Sequence, residues 1–123
     1  YAAPVAAHGL VFMDTPGYDP VSATGQVAGG ANLVVFTTGR GSCFGCRPTP
    51  SIKVASNSDL AARMAEDIDV DAGRIVSAGV SVDAVGEEIF ALILEVASGR
   101  QTMSEAFGYG DDEFVPWHVG AVL

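Results

Sequence analysis

An α/β fold, a Rossmann-like and mostly parallel sheet with flanking helices, follows from three features of the chain. Gly9 to Met13 (GLVFM) and Asn32 to Thr38 (NLVVFTT) are short apolar runs with little polar alternation, the pattern of strands buried on both faces. Between them lies a stretch of small residues closed by Gly29-Gly30, so the order is strand, loop, helix, strand, as in a parallel crossover. Beyond Ser81 comes a long amphipathic helix. With 123 residues, 49% of them apolar, and a mean hydropathy of +0.34, the chain can fill one core, and residues 1–123 are expected to form one domain.

Taken in order, GLVFM runs into Asp14-Thr15-Pro16-Gly17, strong turn chemistry. Asp19 is placed to cap a helix with Pro20 at its first position, and Val21, Gly25 and Ala28 share one face of it. Asn32 to Thr38 is the second strand. Ser51 to Ala55 is expected as a third, and Asn57 or Ser58 caps a helix in which Leu60, Met64 and Ile68 repeat every four residues. Arg74 to Ser77 reads as a fourth strand. The helix after Ser81 puts Val82, Val85, Ile89, Leu92 and Val96 on one face and ends at Gly99. Thr102 and Glu105 then have capping-box spacing for a short last helix. There is no internal repeat or linker.

Charge narrows the partners. A formal net charge of -9 argues against duplex nucleic acid or an anionic membrane, both of which need extended positive surface. No apolar run reaches the roughly 18 to 20 residues of a membrane span, and no signal peptide opens the chain, so a soluble cytoplasmic protein is expected. The opening YAAPVAA, which lacks an initiator Met, reads as the interior of a longer polypeptide.

The stretch most suggestive of chemistry is Phe36 to Asn57. Glycines 39, 41 and 45 would allow positive φ and outward-facing amides, while Arg40, Arg47 and Lys53 supply half of the six basic residues. Leaving the carboxyl end of a parallel strand, where α/β sheets bind ligands, such a loop suits a small carboxylate or phosphate. The plain alternative is a tight polar connection between strands. Cys43-Phe44-Gly45-Cys46 forms a CxxC, but one pair falls short of four zinc ligands, and Gly45 and the following Arg-Pro oppose the helix that a redox motif opens. Reduced spectator thiols are expected. The acidic run Glu66, Asp67, Asp69, Asp71 lacks the glycine and closing glutamate of a calcium loop and reads as a solvated helix end. His8 and His118 offer no metal spacing, and Trp117 is expected to pack.

Three blocks, GLVFMDTPGYDPVSATGQVAGGANLVVFTTGRGS, PSIKVASN and GDDEFVPW, resemble the C-terminal part of the D-galactarate dehydratase and altronate dehydratase family of sugar-acid dehydratases. The resemblance runs over nearly the whole chain. It departs from the family pattern at Cys43 and Cys46, at Asp112 where Asn is frequent, and at His118 where Gln is common.

What the resemblance implies is metal-dependent dehydration of an aldarate or aldonate to a 2-keto-3-deoxy acid, in an active site shared with the rest of the same polypeptide. Sulfolactate sulfo-lyase is a sister activity. Thr38, Gly39, Arg40, Gly41, Ser42 and Asn57 would hold the substrate, with the Arg40 fork on a carboxylate. Lys53 would neutralise a second carboxylate or act as base, the plain alternative being a solvated ammonium at a strand edge. Glu113, in the matching GDDEF block, is expected in catalysis and, with Asp14, as a ligand to a divalent metal, ferrous iron first and Mg or Mn next. Against this stands a second class, a non-catalytic small-anion binding domain. The oligomeric state is left open, a homodimer among the options.

Overall fold

The structure is a computed structural model, and it describes residues 1–117. Helix α1 (Asp19–Ala28) precedes strand β1 (Val34–Thr38), and strand β2 (Ser51–Ala55) leads into helix α2 (Ser58–Arg63). Strand β3 (Val70–Asp71), helix α3 (Arg74–Ser77), helix α4 (Val82–Ala97) and helix α5 (Met103–Ala106) follow. The strands form a parallel sheet in the order β1-β2-β3. The α/β class is as expected.

Every residue of β2 is buried, because the sheet is covered on both sides. On one face Ile52 and Val54 join Val70 of β3 and Leu92 and Val96 of α4 in the main core. On the other, Phe36 of β1 meets Ala23 of α1 together with Phe44 and Cys46 of the β1–β2 connection. A third cluster, Ala55, Leu60 and Ile68, seats α2. Caps act where the sequence placed them at α4 and α5, where the Ser81 side chain accepts from the Ala84 amide at 3.1 Å and Thr102 and Glu105 form a capping box. They do not at α1, whose cap position is Tyr18, with Asp19 inside the first turn and no side-chain cap bond.

Three expectations are corrected. Residues 9–13 form no strand; Leu10 and Phe12 are among the most exposed apolar side chains, because the run has no neighbouring strand to take up its backbone hydrogen bonds. Arg74–Ser77 is a single helical turn. The Gly73 amide donates to the Asp71 side chain at 2.8 Å, which turns the chain sharply out of β3, and a Cβ on Gly73 would lie 2.2 Å from the Ser58 nitrogen. Glycine there lets the turn rest on the backbone of α2. Third, the acidic run is no solvated helix end, since α2 stops at Arg63 and β3 lies inside the run. Asp69 accepts from the Lys53 amide at 2.7 Å and the Met103 amide at 2.8 Å, joining β2 to α5.

Candidate functional site

The connection between β1 and β2, residues 39–50, returns from the carboxyl end of one strand to the start of its parallel neighbour without a helix. It is folded down onto the sheet. Phe44 is buried and stacks on Phe36, with ring centroids 5.6 Å apart. Behind it Lys53, fully buried on β2, donates from Nζ to the Phe44 carbonyl at 2.9 Å. Lys53 sits opposite Phe36 in the parallel register, on the sheet face that the connection covers.

Lys53 is therefore not a solvated edge lysine. Burial pushes its pKa down, against the pull of Asp69 first and then of Asp67, Cys43 and Glu113. An ammonium has three protons to donate, and among the described residues Nζ has one acceptor. Asp67 Oδ1 is buried with no partner among the described residues. The floor of the connection is thus a buried amine in a field of carboxylates, closed off from solvent.

The substrate-binding candidates divide. Thr38 Oγ1 accepts from the Gly41 amide at 3.0 Å, and Ser42 Oγ accepts from the Phe44 amide at 3.1 Å. Two amides expected to face an anion are thereby satisfied inside the loop, but each hydroxyl keeps its own proton to donate. Of glycines 39, 41 and 45, only Gly41 takes positive φ (111°), and it rests on Met64 and Leu60 of α2. Gly45 serves close packing instead, since a Cβ there would sit 3.1 Å from the Tyr109 backbone. Asn57 caps α2 through Oδ1, accepting from the Leu60 amide at 2.8 Å, and ties down the loop by donating from Nδ2 to the Gly39 carbonyl at 3.1 Å. Arg40 is exposed and in no ion pair among the described residues.

The loop and the GDDEF block, far apart in sequence, come together. The Arg47 amide donates to the Gly110 carbonyl at 3.1 Å, and the Arg47 guanidinium pairs with Asp111 at 2.8 Å on the surface. Glu113, half-buried, lies close enough to act electrostatically on both Lys53 and Cys46. Burial pushes the Cys46 thiol up, with Glu113 adding to the rise against a hydrogen bond from Thr49. Both cysteines are free, Cys43 exposed and Cys46 buried. Trp117 packs edge-on against Tyr1, with centroids 5.4 Å apart. His118 lies outside the described residues.

Asp14 lies on an exposed, irregular segment. Among the described residues no three His, Cys, Asp or Glu side chains come together as a metal-binding set. Asp14 and Glu113 therefore do not by themselves fit a divalent ion. No helix among these residues is long and apolar enough to cross a membrane. A groove of about 710 Å³ runs beside the unpaired segment, lined by Leu10, Val11, Phe12 and the Gly29–Ala31 end of α1.

The family model of the D-galactarate/altronate dehydratase C-terminal region matches residues 1–122. The chain belongs to this family. Galactarate dehydratase (L-threo-forming) of Escherichia coli K12 is 42% identical over 101 residues, which cover 81% of this chain and 19% of that protein. Altronate dehydratase of the same organism is 38% identical over 97 residues, 79% of this chain and 19% of the relative. The β subunit of (2R)-sulfolactate sulfo-lyase from Chromohalobacter salexigens is 32% identical over 82% of this chain and 26% of its own length. The dehydratase-family chain thus spans about a fifth to a quarter of the length of these relatives.

Two features escaped the sequence reading. Asp69 was hidden within an apparently solvated acidic run, although the alternation Ile68, Asp69, Val70, Asp71 is the period of a strand. Arg63, a basic residue in the last turn of α2, drew no reading, and nothing in one sequence places it beside Arg40.

Proposed function

We propose that this chain is the C-terminal part of a sugar-acid dehydratase and that its β1–β2 loop receives a substrate carboxylate. The observation that carries this reading is the exposed Arg40, without an ion-pair partner among the described residues, on a loop at the carboxyl end of a parallel sheet, in a member of the dehydratase family. The guanidinium fork takes the carboxylate bidentately, and the hydroxyls of Thr38 and Ser42, their acceptor side engaged by loop amides, donate toward it. Dehydration removes the proton beside that carboxylate and expels the neighbouring hydroxyl as water once it has gained a proton; the resulting enol becomes a 2-keto-3-deoxy acid.

Glu113 is the group in this chain that we assign to proton transfer. Lys53 acts from below as a positioning residue, holding the loop through the Phe44 carbonyl. A divalent ion, ferrous iron first, would stabilise the enediolate that forms on proton loss. Its ligand set is not completed by Asp14 and Glu113, and no step here is routed through it. The sulfo-lyase relative favours a second substrate class, a hydroxy-sulfonate, on the same loop.

The test is turnover by the native polypeptide that carries this segment, on a panel of aldarates, aldonates and sulfolactate, with and without ferrous iron under reducing conditions. A 2-keto-3-deoxy product is expected, and Arg40→Ala should cost roughly 2–4 kcal/mol in kcat/KM if the pair is covered by substrate. Unchanged kinetics in that variant would remove Arg40 from the site. Absence of turnover on every acid, with anion binding retained, would leave a binding module.

A further inference from the structure

Arg63 is the second cation at this site. Of the five arginines, Arg47, Arg74 and Arg100 pair with Asp111, Glu88 and Glu95 respectively. Arg40 and Arg63 have no carboxylate partner among the described residues, although the chain carries 15 acidic residues. These two are also neighbours. Arg63, in the last turn of α2, reaches back with one guanidinium nitrogen to the Arg40 carbonyl, a long contact of 3.5 Å. The Arg63 guanidinium thus lies against the backbone of the residue that carries the second guanidinium without a carboxylate partner among the described residues, in a protein of net charge -9, where like charges gain nothing by proximity unless an anion is to lie against them.

The way this surface is held fixed supports that reading. Asn57 binds the Gly39 carbonyl from the start of α2, and Gly41 rests against Met64 and Leu60, so the loop carrying Arg40 and the helix carrying Arg63 form one unit. The contact to the Arg40 carbonyl occupies one nitrogen of Arg63 and leaves its other donors to solvent.

We infer that Arg63 is a specificity-determining residue that takes the second carboxylate of a dicarboxylic sugar acid while Arg40 takes the first. This rests on the dehydratase reading and deepens it: the substrate class is an aldarate, with a charged group at both ends, in preference to an aldonate. Arg63 leaves the reacting atoms alone. Its removal therefore changes which acid is preferred.

The experiment compares kcat/KM for an aldarate and the matching aldonate in the native polypeptide, wild type and Arg63→Gln. Glutamine loses the charge and, being shorter, also the long contact to the Arg40 carbonyl, so a purely structural role is recognised by an equal loss on both acids. The aldarate preference is expected to fall roughly tenfold through KM, with the aldonate unaffected, as for the loss of one charge-assisted pair covered by ligand. Arg63→Lys should restore part of it. An unchanged ratio with measurable turnover, or an equal loss on both acids, overturns the inference and leaves the dehydratase reading standing. If the wild type turns over neither acid, the dehydratase reading fails. The inference is then decided by titrating the two acids into the native polypeptide: aldarate binding weakened selectively in Arg63→Gln supports it, and equal affinities overturn it.

Discussion

The β1–β2 loop and the segment at residues 9–13 meet opposite fates. Read as sequence, the glycine-rich loop is a polar connection turned toward a ligand and the apolar GLVFM run a strand buried on both faces. In the structure the loop is nailed down, with Phe44 buried on Phe36, the Lys53 ammonium on its carbonyl, Asn57 on Gly39 and the Gly110 carbonyl on Arg47. The apolar run lies bare, Leu10 and Phe12 in solvent. Hydrophobicity makes a strand only where a neighbouring backbone accepts its hydrogen bonds, whereas polar chain can be ordered by a few well-aimed donors.

The strongest way to break this comparison is to truncate the buried aromatic of the loop. Phe44→Ala is expected to cost about 3–5 kcal/mol in urea unfolding of the chain, through lost burial and the cavity left against Phe36, Ala23 and Cys46. A loss below 1 kcal/mol would mean that the loop is not packed as described. Asp69→Ala comes next, at roughly 2–4 kcal/mol, because the amides of both Lys53 and Met103 lose a charged acceptor. It should leave m unchanged and move only the midpoint.

Lys53 tests the loop through pH. Its folded pKa is lowered by burial, so the unfolded chain holds the proton more tightly. Stability should therefore rise with pH from the folded value up to the ordinary 10.5, with the burial cost fully felt below that window. Cys46 acts in the opposite sense: its thiol is raised, and its contribution falls away as pH climbs past the ordinary 9.0. Subtracting the pH profile of Lys53→Met from that of the wild type isolates the lysine, and the difference should change in the wild type's favour as pH rises. A flat difference would mean a lysine as well hydrated in the fold as outside it.

How far the sequence could be read follows the range of the forces involved. Local chemistry was legible: the caps of α2, α4 and α5 lie where Asn57, Ser81 and Thr102 placed them, and β1 and β2 were visible as apolar runs. The α/β class followed from their order. Partnership was not legible. GLVFM and Arg74–Ser77 have the composition of strands, yet one lacks a neighbour and the other is turned into a helix by the Asp71–Gly73 bond. At the candidate site Arg40 stood out as a cation in a glycine loop. The approach of GDDEF to that loop, the burial of Lys53 and the adjacency of Arg63 all depend on contacts between distant positions, which periodicity does not encode.

The smallest expected effect closes the comparison from its other side. Phe12→Ala removes an aromatic ring that is 90% exposed, so urea unfolding of the chain should shift by no more than about 0.5 kcal/mol, against several for Phe44→Ala. The two substitutions delete the same side chain from the same polypeptide, and the ratio of their costs measures how much an aromatic ring contributes through being covered rather than through being hydrophobic. A Phe12→Ala cost above about 1.5 kcal/mol would show that residues 9–13 pack onto the domain in solution, as the buried strand their composition suggests.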